Sequence, residues 1–96
     1  MKESEIQTKI LRWAEKLPEV WIVKYPGGTY GRKGVPDLLL SVKGKFLAIE
    51  VKKPGGKPSQ IQLLEQAKIR MTGSRSEIVE TVDEAKKIIL EVLNGD

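Results

Sequence analysis

The sequence predicts an α/β fold, one sheet flanked by helices in the order α-β-β-β-α-β-α, with its 96 residues taken as a single domain, 1–96. Three observations predict it. Three segments place apolar residues at helical spacing behind a Ser or Thr that has a Gln or Glu three positions on. The stretch 38–50 reads as a tight β-hairpin turning at Lys43-Gly44. Breaker-rich loops at 26–34 and 53–58 punctuate the chain, and no internal repeat or low-complexity segment interrupts it.

Residues 4–17 form an amphipathic helix, with Ile6, Ile10, Trp13, Ala14 and Leu17 on one stripe. Ser4 with Gln7 makes its capping box and Pro18 stops it. Residues 20–25 are rich in β-formers, and both Trp13 and Trp21 are assigned to the core. The loop 26–34 carries Tyr30, Arg32 and Lys33, and the hairpin follows. Ser59 caps a second helix, with Gln62 three residues on; Ile61, Leu64, Ala67 (or Lys68) and Met71 give its apolar face, and Gly73 ends it. Residues 76–80 make a short strand. Thr81 and Glu84 then open a third helix that buries Val82, Ala85, Ile88, Ile89, Val92 and Leu93. Elements with one apolar face each stack as layers around a sheet.

Composition narrows the chemistry. The chain has no cysteine, so disulfides and thiolate catalysis are excluded; this is compatible with a cytoplasmic location. It has no histidine, so a Ser-His-Asp triad, a His-Cys zinc site and a histidine base are excluded too. Any metal must be held by oxygen, which suits Mg²⁺ or Mn²⁺. No apolar run approaches the roughly 20 residues of a membrane span, and the N-terminus lacks a signal-sequence pattern, so no membrane partner is expected. Seventeen Lys plus Arg against thirteen Asp plus Glu give a net charge of +4, which predisposes the protein to polyanions. From Lys24 to Lys57 the basic residues are Lys24, Arg32, Lys33, Lys43, Lys45, Lys52, Lys53 and Lys57, against only Asp37 and Glu50. A chain of this length buries a modest core, and self-association is a natural way to hide more apolar surface.

Asp37 and Glu50 carry the sharpest signal. A two-residue turn at Lys43-Gly44 pairs Val42 with Lys45, and counting outward brings Asp37 opposite Glu50. Opposed residues have Cβ atoms about 4.5–5.5 Å apart, and like charges there repel. A divalent cation between them removes the conflict. Lys52, two residues beyond Glu50, emerges on the same face. A three-residue turn would instead put the two acids on opposite faces, whereas a four-residue turn restores the pairing.

Gly34-Val35-Pro36-Asp37-Leu38, Ala48-Ile49-Glu50-Val51-Lys52-Lys53-Pro54-Gly55 and Gly56-Lys57-Pro58-Ser59-Gln60-Ile61-Gln62 together resemble the PD-(D/E)XK nuclease superfamily. Within it the chain resembles a stand-alone VRR-NUC domain of the phage and bacterial type, and Glu3-Ser4-Glu5-Ile6-Gln7 is similar to that family's opening helix. The resemblance implies a restriction-endonuclease-like core with a mixed sheet. It implies that Asp37, Glu50 and the Val51 carbonyl hold the metal, that Lys52 is the catalytic lysine, and that Gln62 supports the site. It also implies an acid from the first helix, Glu3 or its competitor Glu5. On helical spacing Glu3 lies near Gln7 while Glu5 points elsewhere.

These implications make the expected protein a Mg²⁺- or Mn²⁺-dependent DNA endonuclease. Tyr30, Arg32, Lys33, Lys53 and Lys57 are its expected DNA contacts. Nothing resembles a base-reading module, so shape rather than sequence is the expected basis of recognition. Stand-alone members resemble Holliday-junction resolvases, implying a homodimer on branched DNA in the cytoplasm of a bacterial or phage-infected cell. Plainer readings stand beside these. Asp37 could be a turn residue after Pro36, Glu50–Lys52 a surface ion pair, Gln62 only a helix cap, and Tyr30 ordinary packing. The whole chain could be a non-catalytic or partner-dependent nucleic-acid-binding module on a nuclease fold. The glycines of 26–34 lack the Gly-x-x-x-x-Gly-Lys-Ser/Thr spacing, so nucleoside triphosphate binding is rejected.

Overall fold

The structure, a computed structural model, describes residues 1–28 and 30–95. Its elements are α1 (Glu3–Glu15), β1 (Val20–Lys24), β2 (Leu38–Val42), β3 (Lys45–Val51), α2 (Gln60–Met71), β4 (Arg75–Val79) and α3 (Val82–Leu93). The expected order α-β-β-β-α-β-α is the observed one. The four strands form a mixed sheet in the order β1-β2-β3-β4, antiparallel across the first two pairings and parallel across β3–β4.

The hairpin turn is the two-residue one. Lys43 (φ 51°) and Gly44 (φ 82°) both take positive φ, as a type I′ turn requires, and Val42 pairs with Lys45. Period-2 alternation then sorts the strands. One sheet face carries Ile22, Leu38, Leu40, Val42, Leu47, Ile49, Val51 and Val79, all buried. α1 and α3 cover this face with Ile6, Ile10, Ala14, Ala85, Ile89 and Val92. Trp13 is part-buried against this core, with the Lys86 ammonium 5.4 Å from its ring centre.

Several expectations are corrected. α1 spans Glu3–Glu15 rather than 4–17, and its N-cap is Lys2, whose backbone N–H donates to Glu5 at 3.2 Å. Glu5 at the third helical position closes that turn, so Ser4 is not the cap. Ser59 and Thr81 do cap their helices, accepting from the backbone N–H of Gln62 and Glu84. The apolar stripe of α2 is not its buried face. Ile61, Leu64 and Met71 are exposed, while Glu65 and Gln66 are buried. Polar tethers set this orientation: Gln62 to Glu50, Arg32 to Glu65, and Arg70 to the Ser76 carbonyl. Trp21 is also exposed, because α1 and α3 occupy the opposite face of β1. Among the described residues, no helix is long and apolar enough to cross a membrane.

Candidate active site

Asp37 immediately precedes β2, and the ladder that pairs Leu38 with Ile49 continues outward to set Asp37 beside Glu50. Backbone bonds extend the strands on either side. The Tyr25 N–H donates to the Asp37 carbonyl at 2.8 Å, and the Lys52 N–H to the Val79 carbonyl at 2.9 Å. The two acids therefore project from the sheet face that α2 crosses, not from the core face.

Asp37 is oriented by the Val51 N–H, which donates to its Oδ2 at 2.8 Å. Glu50 is 2% exposed. Its Oε2 accepts from Gln62 Nε2 at 2.9 Å and lies 3.5 Å from Lys52 Nζ. Its Oε1 is buried with no hydrogen-bond partner. Burial first, and then the Asp37 charge, push the Glu50 pKa from 4.5 up to about 7, with Lys52 pulling the other way. A buried acid beside a second acid, with one oxygen unanswered, is an electrostatic deficit. Hard oxygen donors with no nitrogen or sulfur ligand fit a hard divalent cation at this point.

Glu3 does not join the pair. Among the described residues no group of three potential metal-ligating side chains gathers. Glu3 Oε2 accepts from the Lys53 N–H at 3.2 Å, just past the end of β3. Glu80 accepts from the Gly55 N–H at 3.1 Å, so two carboxylates brace the backbone of the loop 53–58. Lys53 and Lys57 extend from that loop into solvent, as Tyr30 and Lys33 do from the loop 26–34.

Arg32 is differently engaged. Its guanidinium grips Glu65 of α2 with Nε at 2.7 Å and Nη2 at 3.0 Å, while Lys68 adds a third contact at 3.3 Å. These cations hold the Glu65 pKa below the ordinary carboxylate range. The Arg32 backbone N–H donates to the Tyr25 hydroxyl at 2.8 Å, which closes the loop on itself.

Sequence reasoning missed Gln7 as a site residue. It is buried one turn after Glu3 and lines a cleft of about 330 Å³ together with Lys24, Tyr25, Arg32, Lys33 and Asp37. The available signal was a polar residue on the apolar side of α1, here read as a capping partner instead.

The element order and the mixed sheet, with an acid at the start of β2 and another near the end of β3, define a PD-(D/E)XK-like fold. No family model matches the chain. A solved structure described as a VRR_NUC domain aligns with a TM-score of 0.77 and 30% identity, covering 93% of this chain and 95% of that one. A second, a VRR_NUC domain protein, aligns with a TM-score of 0.83 at 18% identity over 98% of this chain and 89% of that one, which supports the fold. In sequence the chain is 39% identical over 84 residues to "Putative nuclease p44" of Acyrthosiphon pisum secondary endosymbiont phage 1, spanning 86% of this chain and 87% of that protein. The chain belongs to the VRR-NUC family of nucleases.

Proposed function

We propose that this nuclease is a Mg²⁺- or Mn²⁺-dependent DNA endonuclease that selects its substrate by structure, acting on branched DNA such as Holliday junctions. The observation that carries the reading is Asp37 beside a buried Glu50 whose Oε1 has no partner. Asp37, Glu50 and the Val51 carbonyl would hold the metal. The chemistry such an ion supplies when bound is acidification of water and polarisation of the scissile phosphate.

The chain's own residues account for the rest. The Val51 N–H fixes Asp37, and Gln62 fixes Glu50, so neither carboxylate must reorganise during reaction. The Lys52 ammonium lies 3.5 Å from Glu50, and from there it would neutralise charge on the phosphate or orient the attacking water. Lys33, Lys53 and Lys57, exposed on two loops that flank the acids, would track a phosphate backbone, with Tyr30, also exposed, as a further contact. A surface of cations carried on loops favours recognition of DNA shape. The protein would act in the cytoplasm of a bacterial or phage-infected cell.

The test is cleavage of labelled four-way junction, flap, single-stranded and linear duplex DNA with Mg²⁺ or Mn²⁺, beside Lys52→Ala. Symmetric junction cutting that the variant loses is the expected result. Cutting of flaps or plain duplex in preference would discard the branched-junction selectivity and keep the active site. Cleavage undiminished by chelator would overturn the metal.

A further inference from the structure

Lys52 leads directly into a tight turn. The Gly56 N–H donates to the Lys53 carbonyl at 2.8 Å, and Gly55 takes a φ of +82°. Lys53-Pro54-Gly55-Gly56 thus has the form of a type II turn, with proline and glycine at its two central positions. Lys53, Pro54 and Gly55 are exposed. A cavity of about 400 Å³ borders the turn, with Pro54 and Glu80 in its wall beside Ile6 and Val82. Packing therefore leaves the turn room to move, and hydrogen bonds must hold it.

Three acceptors from three parts of the fold do so. The Val79 carbonyl, at the end of β4, takes the Lys52 N–H at 2.9 Å. Glu3 of α1 takes the Lys53 N–H at 3.2 Å. Glu80, the residue after Val79, takes the Gly55 N–H at 3.1 Å. Glu80 is itself anchored, because its own N–H donates to Glu84 Oε1 at 3.0 Å, and the same oxygen accepts from the Thr81 hydroxyl at 3.2 Å. We infer that Glu80 is a positioning residue for Lys52: by tying the turn 53–56 to the end of β4, it keeps the lysine ammonium against Glu50. This rests on Lys52 serving as the lysine of the active site proposed above.

The chemistry of the tie suits the task. A lysine is a point charge on a flexible stem, so its ammonium goes where its backbone and neighbours direct it. The Lys52 side chain is only 14% exposed, and its ammonium stands 3.5 Å from Glu50 Oε2. A shift of the segment that follows Lys52 carries the stem with it. A carboxylate accepting from a backbone N–H makes a charge-assisted bond, stronger than a neutral acceptor would make. Among the described residues the Glu80 carboxylate forms no ion pair, and the bond it makes is to Gly55. Glu3 holds the same segment from α1, one residue after Lys52. The end of β4 thus fixes Lys52 twice, through the Val79 carbonyl on its own N–H and through Glu80 on the turn.

The test is single-turnover DNA cleavage in Mn²⁺ by the full chain and by Glu80→Ala, Glu80→Gln and Lys52→Ala. DNA affinity, the melting shift produced by Mn²⁺ and amide exchange at Gly55 are measured beside it. Glu80→Ala is expected to lower the rate at saturating DNA on the order of 10-fold, as displacement of a reacting group does. Its DNA affinity and Mn²⁺ shift should stay close to those of wild type, while exchange at Gly55 speeds up. Glu80→Gln keeps an acceptor for the Gly55 N–H and should restore most of the rate. Glu80→Ser takes the place of Glu80→Ala if circular dichroism shows that the latter does not fold. A full rate in Glu80→Ala, with Lys52→Ala inactive, would overturn the inference and leave the reading of the site standing. A loss carried by DNA affinity would also overturn it, since the turn would then serve Lys53 and Lys57 alone. So would a lost Mn²⁺ shift, or a Glu80→Gln as slow as Glu80→Ala. A wild type that cuts no DNA, or full cleavage by Lys52→Ala, would overturn the reading of the site and this inference with it.

Discussion

Gln62 joins a helix terminus to the candidate active site. Its Oε1 accepts from the Ser59 N–H at 2.8 Å, completing the capping box of α2, while its Nε2 donates to the buried Oε2 of Glu50 at 2.9 Å. The two roles are separable. Ser59→Ala removes the cap alone and should destabilise the fold by about 1 kcal/mol while leaving cleavage within a few-fold of wild type. Gln62→Ala removes both bonds and leaves Glu50 with Lys52 as its partner. Its stability loss should match or exceed that of Ser59→Ala, and kcat should fall on the order of 10-fold or more. Equal loss of activity in both variants, measured by single-turnover cleavage, would reduce Gln62 to a helix cap.

Glu50 makes metal-free stability depend on pH in a definite direction. Its pKa is raised from 4.5 to about 7 by burial and by Asp37. The folded state thus holds a proton that the unfolded chain has released, and stability falls as pH rises from about 4.5 to about 7. Asp37→Asn keeps an acceptor for the Val51 N–H but removes the charge, so the slope should flatten and the melting temperature near pH 8 should rise. Mn²⁺ or Mg²⁺ should raise the melting temperature of wild type near pH 8 more than that of Asp37→Asn. Melting curves in chelator and in Mn²⁺ between pH 4 and 8 read both effects; a flat wild-type profile would contradict the raised pKa.

The hairpin was legible because a two-residue turn with glycine fixes register, and register alone carries Asp37 to Glu50 and Lys52 to the same side. The core faces of α1 and α3 were legible because their apolar residues meet a sheet in the same chain. α2 was misread for a physical reason. A stripe of Ile61, Leu64 and Met71 says that apolar surface exists, not which partner covers it, and here polar tethers turn Gln62, Glu65 and Gln66 inward. Trp21 failed in the same way, since alternation along β1 assigns it to a face without saying that the face is bare. That Arg32, read as a DNA contact, also pairs with Glu65 was not legible, because that partner lies 33 residues away, beyond the reach of any local pattern.

That pairing separates the basic residues by the partners they have within the chain. Lys33 and Lys57 are exposed and without an ion pair among the described residues, whereas Arg32 is gripped by Glu65. Lys33→Ala and Lys57→Ala should each weaken DNA binding and reduce the slope of log K against log salt by about 0.7–0.9. Arg32→Ala should leave that slope unchanged. It should instead loosen the loop 26–34, as should Glu65→Gln, and both variants should be cut faster there by protease. Equilibrium binding across a salt series checks the first expectation, and limited proteolysis the second. A reduced salt slope in Arg32→Ala would return that residue to the phosphate-binding set.

Gly34 sets how closely the loop approaches α2. Its φ is +81°, and a Cβ there would lie 2.7 Å from the Ile61 carbonyl oxygen, against helix backbone that cannot move aside locally. Gly34→Ala therefore combines a strained conformation with a clash and should destabilise the fold by about 2–3 kcal/mol. Ile61 is the residue before Gln62, so any shift of α2 that relieves the clash draws Gln62 away from Glu50. The expected outcome is a loss of kcat beyond that of Gly55→Ala, which also has positive φ (+82°) but meets nothing within 4 Å. Comparing the two variants well below their melting temperatures separates backbone strain from displacement of α2. Equal kcat in both would show that the Gly34–Ile61 approach does not position Gln62.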